Sequence, residues 1–453
     1  MTPAATRRKP ISPARACAYK VLRRVFEQGA YADRALAAEA RELDHRDRAL
    51  ATALAYGAVQ RRATLDHIAQ QLLSRPLARL EAPVLAALRV GLFQLLFLGG
   101  VSDYAAVDES VELIKRERPG AAGLVNAVLR RGAREGPAIL DSLNDADPAN
   151  AAILHSVPQW LADRWWQELG ADTARELLRR INDPAESALR VNTLVATVAD
   201  VAAVLPVGSE PAPGIPEGLV ITDGFDAQGS EAWREGAIMP QSRGSMLVAH
   251  ALAPVAGERV LDLCAAPGGK TTQIAALTAD EGEVVAVERH SGRARALEQT
   301  CARMRATSVR VDVGDAAVPC DRGQFARVLV DPPCSGLGTL QSRPDIRWRA
   351  TPEAIDQLAG IQQQILAAGA AATAPGGSLV YSVCTISRAE GELVARRFAD
   401  EHPEFAPVDL SQVMPEWAHA ATGRHLQLLP SRDRTDGFFI ARFSKASGGR
   451  VNL

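Results

Sequence analysis

The chain has 453 residues, more than one hydrophobic core usually accommodates, so its length predicts two or three domains. A formal net charge of −2 and an ordinary composition indicate a globular protein and give no overall sign of a nucleic-acid partner. The most apolar run, residues 90–101, is too short to cross a bilayer, and no apolar signal core follows the basic residues 7–9. We therefore expect a cytoplasmic protein without a membrane partner.

The charges are distributed unevenly along the chain. Residues 1–140 contain 22 Lys and Arg against 14 Asp and Glu, whereas the remainder contains 29 against 39. A basic module joined to an acidic one is expected of a phosphate-binding domain attached to an enzyme, because neutralised phosphates release their counterions. A solvated helical surface would give a similar bias and is the alternative.

Six cysteines are scattered without a CxxC pair or a zinc-type His pattern. Their spacing predicts neither a metal site nor a disulfide framework, and a reducing compartment is the simplest setting. The six are Cys17, Cys264, Cys301, Cys320, Cys334 and Cys384.

A helical pattern covers most of residues 1–140, which we take as the first domain. The pattern predicts a compact all-α bundle, because apolar residues recur at spacings of three and four. The clearest helical segments are residues 14–26, 48–70, 82–97 and 107–116.

Three segments of this bundle resemble the NusB-type RNA-binding helical domain. They are ALRVGLFQLLFLG at residues 87–99, AAVDESVELIK at 105–115 and GLVNAVLRR at 123–131. The resemblance covers most of residues 12–135 and implies that the bundle binds RNA.

Residues 141–250 have a mixed pattern. A helical stretch with three tryptophans precedes ALRVNTL at residues 188–194 and a Pro- and Gly-rich passage at 206–218. We interpret this segment as a small α/β connector that adds to RNA binding. The tryptophans fall within an apolar helical pattern, which favours packing over base stacking.

Strand and helix patterns alternate over residues 251–445. This alternation is typical of a doubly wound, Rossmann-like α/β domain with a parallel sheet, in which ligands bind at the carboxyl ends of the strands. The predicted strands are residues 260–263, 284–287, 309–313, 328–330 and 379–383, separated by helical stretches such as 271–277 and 352–374.

A glycine-containing turn follows the first of these strands, in DLCAAPGGKT at residues 262–271. The glycine pair lets backbone N–H groups approach a ligand closely, which indicates a nucleotide or a nucleoside. A phosphate-binding P-loop would need glycine where Cys264 stands, and the GxGxxG of dinucleotide sites is absent. ATP hydrolysis and NAD are therefore disfavoured.

Acidic residues follow the next two strands. Glu288 ends the second strand, where an acidic side chain meets ribose hydroxyls in nucleoside-binding folds, and Asp315 after the third could accept from an adenine amino group. A nucleoside without phosphates fits, and S-adenosyl-L-methionine is the usual one. Each acid taken alone could also be a solvated loop residue.

Two cysteines follow the fourth and fifth strands, in DPPCSG at residues 331–336 and YSVCT at 381–385. Neighbouring strands lie about 4.8 Å apart, so Cys334 could approach Cys384 above the cofactor. The alternative is a pair of small buried hydrophobic side chains, the common fate of cysteine.

This arrangement suits covalent catalysis on a pyrimidine. A thiolate that adds to carbon 6 activates carbon 5, which is otherwise too weak a nucleophile to take a methyl group. Asp331 is the candidate acid or donor near ring N3, and Cys334 could assist removal of the carbon-5 proton. Amino-group methylases favour an aromatic residue after Asp-Pro-Pro, so Cys334 at that position indicates the covalent route.

Five motifs resemble the RNA cytosine-5 methyltransferases of the NOL1/NOP2/Sun class: DLCAAPGGKT, DPPCSG, RPDIRW at 343–348, YSVCT and TDGFF at 435–439. With the NusB-like front end, the resemblance is closest to members that modify bacterial 16S ribosomal RNA. It implies methylation of carbon 5 of a specific cytosine, with Cys384 as nucleophile and Cys334 assisting product release. It also implies a cofactor site formed by Cys264, Ala265, Ala266, Pro267, Gly268, Gly269, Lys270, Glu288, Asp315 and Asp331.

The sequence departs from this class at three positions. The acid of the second strand is commonly Asp but here is Glu288, which should still reach a ribose. Val383 stands where Thr is usual, and Ser242 stands where an acidic residue is typical. We assign no function to Ser242.

Two alternatives stay open. The chain could be an RNA-binding assembly or antitermination factor that keeps a methylase fold as a scaffold, although the cysteine pair and the glycine turn favour an enzyme. If the chemistry followed the DNA cytosine methylases, Cys334 rather than Cys384 would be the nucleophile. Nothing in the sequence demands more than a monomer.

Overall fold

The computed structural model describes residues 11–318 and 322–447. The chain divides into two compact units, one formed by Met1–Asp183 with Ser342–Arg349 and the other by Pro184–Gln341 with Ala350–Leu453. Cys320 and the basic residues 7–9, which the sequence analysis singled out, lie outside the described residues. In the part of the chain that is described, no helix is both long enough and apolar enough to span a bilayer.

The predicted helical bundle at the front of the chain is confirmed. Short 3₁₀ turns at Leu77–Arg79 and Pro119–Ala121 join some of its helices. The helices are α1 (Pro13–Gln28), α2 (Ala32–Glu39), α3 (His45–Gln60), α4 (Arg62–Leu72), α5 (Ala82–Phe97), α6 (Asp103–Glu117), α7 (Ala122–Asp141), α8 (Pro148–Leu154), α9 (Gln159–Leu169) and α10 (Ala171–Arg180).

Helix α5 forms the centre of the bundle because it is apolar on all sides, as a fully buried helix must be. Its one cation, Arg89, is buried and pairs with Asp66 through two hydrogen bonds of 2.7 and 2.8 Å. Such a bidentate pair satisfies the guanidinium inside an otherwise apolar core.

The helical pattern predicted over residues 48–70 is confirmed as two helices. The chain leaves helical geometry at Arg61, with ψ of 13°, and α3 and α4 form on either side of it. Neither proline nor glycine marks this break, and the apolar spacing continues across it, so the periodicity could not reveal it.

A four-stranded antiparallel sheet begins the second unit, which confirms the predicted α/β connector. Its strand order is β2-β3-β1-β4, and Leu189, Leu219 and Ile238 are buried in its core. The elements are β1 (Ser187–Val191), α11 (Val198–Val204), β2 (Ser209–Pro211), β3 (Gly218–Ile221), α12 (Glu231–Arg234) and β4 (Ile238–Pro240).

A larger sheet with helices on both faces completes the described chain. The elements from Arg243 onward are α13 (Arg243–Leu252), β5 (Arg259–Leu263), α14 (Gly269–Leu277), β6 (Glu283–Glu288), α15 (Ser291–Arg303), β7 (Val309–Val313), β8 (Phe325–Val330), α16 (Ile346–Arg349), α17 (Pro352–Ala372), β9 (Thr373–Val383), α18 (Glu392–Glu401), β10 (Phe405–Val408), α19 (Leu410–Val413), a 3₁₀ turn (Pro415–Ala420), β11 (Ala421–Thr422), β12 (His425–Gln427), α20 (Pro430–Asp433) and β13 (Phe439–Lys445). Of these, α16 belongs to the helical unit.

The five predicted strands are confirmed as the parallel part of this sheet, in the order β9-β8-β5-β6-β7. The sheet also contains antiparallel strands that the sequence analysis did not predict, since β13 runs antiparallel beside β9, with Phe439 opposite Val383. Strands β10 and β12 pair antiparallel with β13 in turn. Antiparallel neighbours need no crossover helix, so short strands late in the chain can extend the sheet.

The segment Ser342–Arg349, which carries the RPDIRW motif, belongs to the helical unit. The indole of Trp348 donates to the carbonyl of Val59 at 2.7 Å. Arg347 is fully buried and donates to the carbonyl of Ser156 at 3.1 Å and to Asn182 Oδ1 at 2.8 Å. The motif is therefore a structural part of the helical unit.

Candidate active site

The predicted site residues follow neighbouring parallel strands. Strand β8 lies between β5 and β9, with Val330 opposite Tyr381, so the loops after these strands emerge at the same edge of the sheet. We call residues 264–270, after β5, the cofactor loop. Residues 331–338, after β8, are the first cysteine loop, and residues 384–390, after β9, are the second cysteine loop.

The structure brings the two predicted cysteines together. The sulfur atoms of Cys334 and Cys384 are 3.4 Å apart, and both side chains are partly exposed. The pKa of the Cys334 thiol is raised well above its usual value by the hydrogen bond to Cys384, by burial and by the nearby charge of Cys384. The two sulfur atoms therefore lie within hydrogen-bond distance, and either can be the donor.

The backbones of the loops also meet. The N–H of Gly338 donates to the carbonyl of Cys384 at 3.1 Å, and the N–H of Gly437 donates to the carbonyl of Gly338 at 2.8 Å. A side chain at position 338 would lie 1.9 Å from the Gly437 carbonyl oxygen, so only glycine permits this approach. This contact joins the DPPCSG and TDGFF motifs.

Asp331 lies in a polar cluster beside the cysteines. Lys270 Nζ is 2.7 Å from Asp331 Oδ2, and the Ser382 hydroxyl donates to Oδ1 at 2.9 Å. Burial alone would lower the pKa of Lys270, but the charge of Asp331 and the hydrogen bond to it outweigh burial and raise that pKa. A persistent cation therefore faces the carboxylate.

The cofactor loop depends on unusual backbone geometry. Cys264 has a φ of 69°, and Gly268, which caps α14, has a φ of 104°. A Cβ on Gly268 would lie 2.7 Å from Leu297 Cδ1 and would require a φ that side chains rarely adopt, so a side chain there would strain the turn. The first N–H groups of a helix have no partner within it, so those of α14 can donate to a ligand in the turn.

A buried carboxylate lies beneath the cofactor loop. Thr271 Oγ1 donates to Asp262 Oδ2 at 2.6 Å, and Asp262 is 1% exposed. Burial raises the pKa of Asp262 to about 7, and the Thr271 hydrogen bond opposes this rise.

Glu288 and Asp315 lie at successive strand ends, as predicted, but they differ in exposure. Glu288 is only 2% exposed, and its carboxylate accepts from the N–H of His290 at 2.8 Å. The side chain of Asp315 is 39% exposed and accepts from the N–H of Ala317 at 3.0 Å. The solvated-loop alternative is thereby excluded for Glu288, and both carboxylates keep acceptor capacity for a ligand.

Val383 and Ser242, two of the positions at which the sequence departs from the class that it resembles, lie in different elements of the fold. Val383 is fully buried at the end of β9, and Ser242 precedes α13 without a side-chain capping bond.

Within the described residues, no group of three or more His, Cys, Asp or Glu side chains is arranged to hold a metal ion.

The sequence analysis missed three polar residues that surround the cysteines: Ser382, Gln362 and Glu390. Ser382 could have been found, because it stands two positions before Cys384 at the same strand end. Gln362 lies within α17, and Glu390 ends the second cysteine loop just before α18, where polar residues usually face solvent, yet both are fully buried. Their partners are distant in sequence, so periodicity gave no signal for them.

Three family matches cover most of the chain. Residues 12–134 match the NusB family, residues 157–228 match the ferredoxin-like domain of RsmF/B-like methyltransferases, and residues 249–444 match the family described as 16S rRNA methyltransferase RsmB/F. The NusB-type resemblance of the helical bundle is thereby confirmed.

Individual relatives are similar over nearly their full length. A Synechocystis protein described as probable ribosomal RNA small subunit methyltransferase B is 35% identical over 447 residues, which cover 96% of this chain and 99% of the relative. Ribosomal RNA small subunit methyltransferase B of Thermus thermophilus is 36% identical, covering 89% of this chain and 90% of its own. The crystal structure of PH0851 superposes with a TM-score of 0.81 at 27% identity, covering 97% of this chain and 100% of that one.

Proposed function

The chain belongs to the ribosomal RNA small subunit methyltransferase B family, and on that premise we propose that it methylates carbon 5 of a cytosine in 16S ribosomal RNA. The proposed methyl donor is S-adenosyl-L-methionine. The observation that carries the proposal is the 3.4 Å separation of the Cys334 and Cys384 sulfur atoms, next to Asp331. Two thiols at adjacent positions suit a reaction at two adjacent ring carbons.

Cys384 is the proposed nucleophile. Its thiolate, formed by loss of the thiol proton to solvent water, adds to carbon 6 of the cytosine, and the electron pair of the ring double bond becomes available at carbon 5. Asp331, with the Lys270 cation on one oxygen and the Ser382 hydroxyl on the other, provides the polar contact near ring N3. When bound, S-adenosyl-L-methionine supplies an electrophilic methyl group for carbon 5.

Cys334 is the proposed base of the second step. Once the Cys384 sulfur is bonded to carbon 6, it is neither a charge nor a strong acceptor, so two causes of the raised Cys334 pKa disappear. Cys334 can then lose its proton to solvent water and, as a thiolate, take the carbon-5 proton. The electron pair from the carbon–hydrogen bond restores the ring double bond, and Cys384 leaves as a thiolate.

The proposed cofactor site is formed by the cofactor loop and three carboxylates. The glycine turn caps α14, whose first backbone N–H groups have no partner within the helix, and buried Glu288 supplies an acceptor of the kind that ribose hydroxyls require. Asp315 is proposed at the adenine and Asp331 near the reacting groups. These residues fit a nucleoside cofactor that lacks phosphates.

The proposed RNA partner is held by residues 1–140, with residues 141–250 as a connector that adds contacts and 251–445 as the catalytic domain. The surplus of positive charge in the first segment and its match to the NusB family support this division. We propose a monomer that acts in the cytoplasm, where bacterial ribosomal RNA is found.

The RNA-binding assignment can be tested at Arg134, on α7, whose side chain is 70% exposed. Arg134→Ala should reduce the slope of log affinity against log salt concentration by about one, because one phosphate contact is lost. Arg397, on α18, is 65% exposed and is the matched control. An unchanged slope in Arg134→Ala would remove this residue from the RNA contacts.

The catalytic assignment is tested with RNA that contains 5-fluorocytosine, which cannot lose the carbon-5 substituent. With S-adenosyl-L-methionine, a stable protein–RNA complex should form in the wild type and be absent in Cys384→Ala. With ordinary RNA, Cys334→Ala should accumulate the same complex, because proton removal is blocked.

Two results would contradict the assignment. A complex that persists in Cys384→Ala and is lost in Cys334→Ala would reverse the roles of the two cysteines. A chain that forms no complex and gives no heat on titration with S-adenosyl-L-methionine would be a scaffold.

A further inference from the structure

Glu390 is a fully buried carboxylate beside the two cysteine loops. We propose that Glu390 is a positioning residue. It holds the first cysteine loop against the second cysteine loop and so fixes the distance between the sulfur atoms of Cys334 and Cys384. We call the hydrogen bonds that link Glu390 to the two cysteine loops the clamp. Its role in catalysis rests on the function proposed above, whereas the hydrogen bonds themselves are a property of the fold.

The carboxylate controls the backbone on both sides of Cys334. The N–H of Ser335, the next residue, donates to Glu390 Oε1 at 2.7 Å. The side-chain amide of Gln362 donates to the same oxygen at 3.1 Å and to the carbonyl of Pro333, the preceding residue, at 3.0 Å. Cys334 is therefore held at both of its peptide bonds.

The same carboxylate reaches the loop of the second cysteine. The Ser335 hydroxyl donates to Glu390 Oε2 and lies 2.7 Å from the hydroxyl of Thr385, the residue after Cys384. Thr385 Oγ1 also lies 3.4 Å from Glu390 Oε2. These hydroxyls and the carboxylate link the two loops side by side.

The clamp is anchored to the sheet. The Tyr381 hydroxyl on β9 lies 3.1 Å from Gln362 Oε1 and also contacts the backbone carbonyl of Glu390. Tyr381, Gln362, Thr385 and Glu390 are all fully buried. Water competes poorly for buried hydrogen bonds, so the network resists thermal displacement.

The proposed chemistry explains why a fixed distance matters. Cys384 must reach carbon 6 while Cys334 reaches the proton on carbon 5, and these ring atoms are directly bonded to each other. A misplacement of about 1 Å can cost about 100-fold in rate. The hydrogen bonds of Glu390 reach the residues next to the cysteines, so we assign it a positioning role rather than a chemical one.

The first test measures the clamp without any methyl transfer. Diamide oxidises a thiol pair to a disulfide and is itself reduced to a hydrazine, and the rate of closure reports how near the two sulfurs are held. Closure between Cys334 and Cys384, followed by peptide mass spectrometry, should be at least about tenfold slower in Glu390→Ala. Glu401→Gln, which breaks an exposed ion pair with Arg397 within α18, should close at the wild-type rate.

The second test measures catalysis. Glu390→Ala should lower kcat by about 100-fold and change the KM for RNA less than about twofold. Glu390→Gln keeps the side-chain shape and an acceptor for the Ser335 N–H, so it should recover about tenfold of this loss. An effect through charge alone would instead give equal losses in the Gln and Ala variants, which would overturn the positioning role.

Wild-type rates of both closure and turnover in Glu390→Ala would also overturn the proposal. If Glu390→Ala does not fold, Ser335→Ala tests the proposal instead. This variant removes the hydroxyl between Glu390 and Thr385, so it should also slow formation of the Cys334–Cys384 disulfide, and a wild-type rate would overturn the proposal. Failure of the proposed function can be distinguished from failure of the clamp. In that case the wild type would form no complex with 5-fluorocytosine RNA, whereas disulfide formation would still be slower in Glu390→Ala than in the wild type.

Discussion

The cofactor loop and the two cysteine loops lie at the same edge of one sheet but are held in different ways. The cofactor loop depends mainly on its own backbone, with a left-handed Cys264 and a Gly268 at which a side chain would be strained. One side chain, Arg293, also donates to the carbonyl of Ala266. The cysteine loops are held by side chains from elsewhere, Gln362 from α17 and Tyr381 from β9. A local loop is encoded by a short motif, whereas a loop held from a distance depends on residues scattered along the chain.

This comparison predicts that side-chain changes at the cysteine loops reduce the rate of catalysis more than the binding of cofactor. The largest expected effect is at Asp331, where Asp331→Asn removes the charge that faces Lys270. Single-turnover methylation should slow by about 1,000-fold, within the range for loss of an acid–base group. Asp356→Asn, an exposed change on α17, should have no effect. A rate within threefold of wild type for Asp331→Asn would exclude Asp331 from the chemistry.

At the cofactor loop, we expect a substitution to weaken the binding of cofactor more than it slows catalysis. Gly268→Ala places a Cβ 2.7 Å from Leu297 Cδ1 and forces alanine to a φ of 104°. Affinity for S-adenosyl-L-methionine, measured by calorimetry, should fall by about 10- to 100-fold, which corresponds to a strain of about 1–3 kcal/mol. Gly292→Ala at the start of α15 meets open space and is the matched control. Wild-type affinity in Gly268→Ala would show that the turn does not shape the cofactor site.

A smaller effect is expected from the pH dependence of Asp262, beneath the cofactor loop. Its folded pKa of about 7 lies above the unfolded value of about 3.9, so the folded state holds the extra proton and loses stability as pH rises between these values. Asp262→Asn removes this loss. Relative to wild type, its midpoint of thermal unfolding should be higher at pH 8 than at pH 5 by at least about 2 °C. If the midpoints of thermal unfolding of Asp262→Asn and wild type differed equally at both pH values, ionisation of Asp262 would cost the folded state little stability.

The same contrast explains how much could be predicted from the sequence. The five parallel strands were evident because fully buried strands are rich in β-branched residues, and the proximity of Cys334 and Cys384 followed from the ends of neighbouring strands. The glycine turn was evident because its requirement is local. In each case, a few consecutive residues carried the whole signal.

Long-range features could not be predicted in this way. Glu390 accepts a hydrogen bond from the N–H of Ser335, which lies 55 residues earlier in the chain. The segment Ser342–Arg349 joins the helical unit through contacts such as that of Trp348 with Val59, across 289 residues. The antiparallel strand β13 and the helix break at Arg61 likewise depend on packing that periodicity does not record.

The most direct test of the account identifies the atom that bonds to the RNA. A 16S ribosomal RNA fragment containing 5-fluorocytosine would be incubated with the protein and S-adenosyl-L-methionine, digested, and analysed by peptide mass spectrometry. The account predicts that the modified nucleotide is attached to the peptide that contains Cys384. Attachment to the Cys334 peptide, or a nucleotide bound to neither, would contradict it.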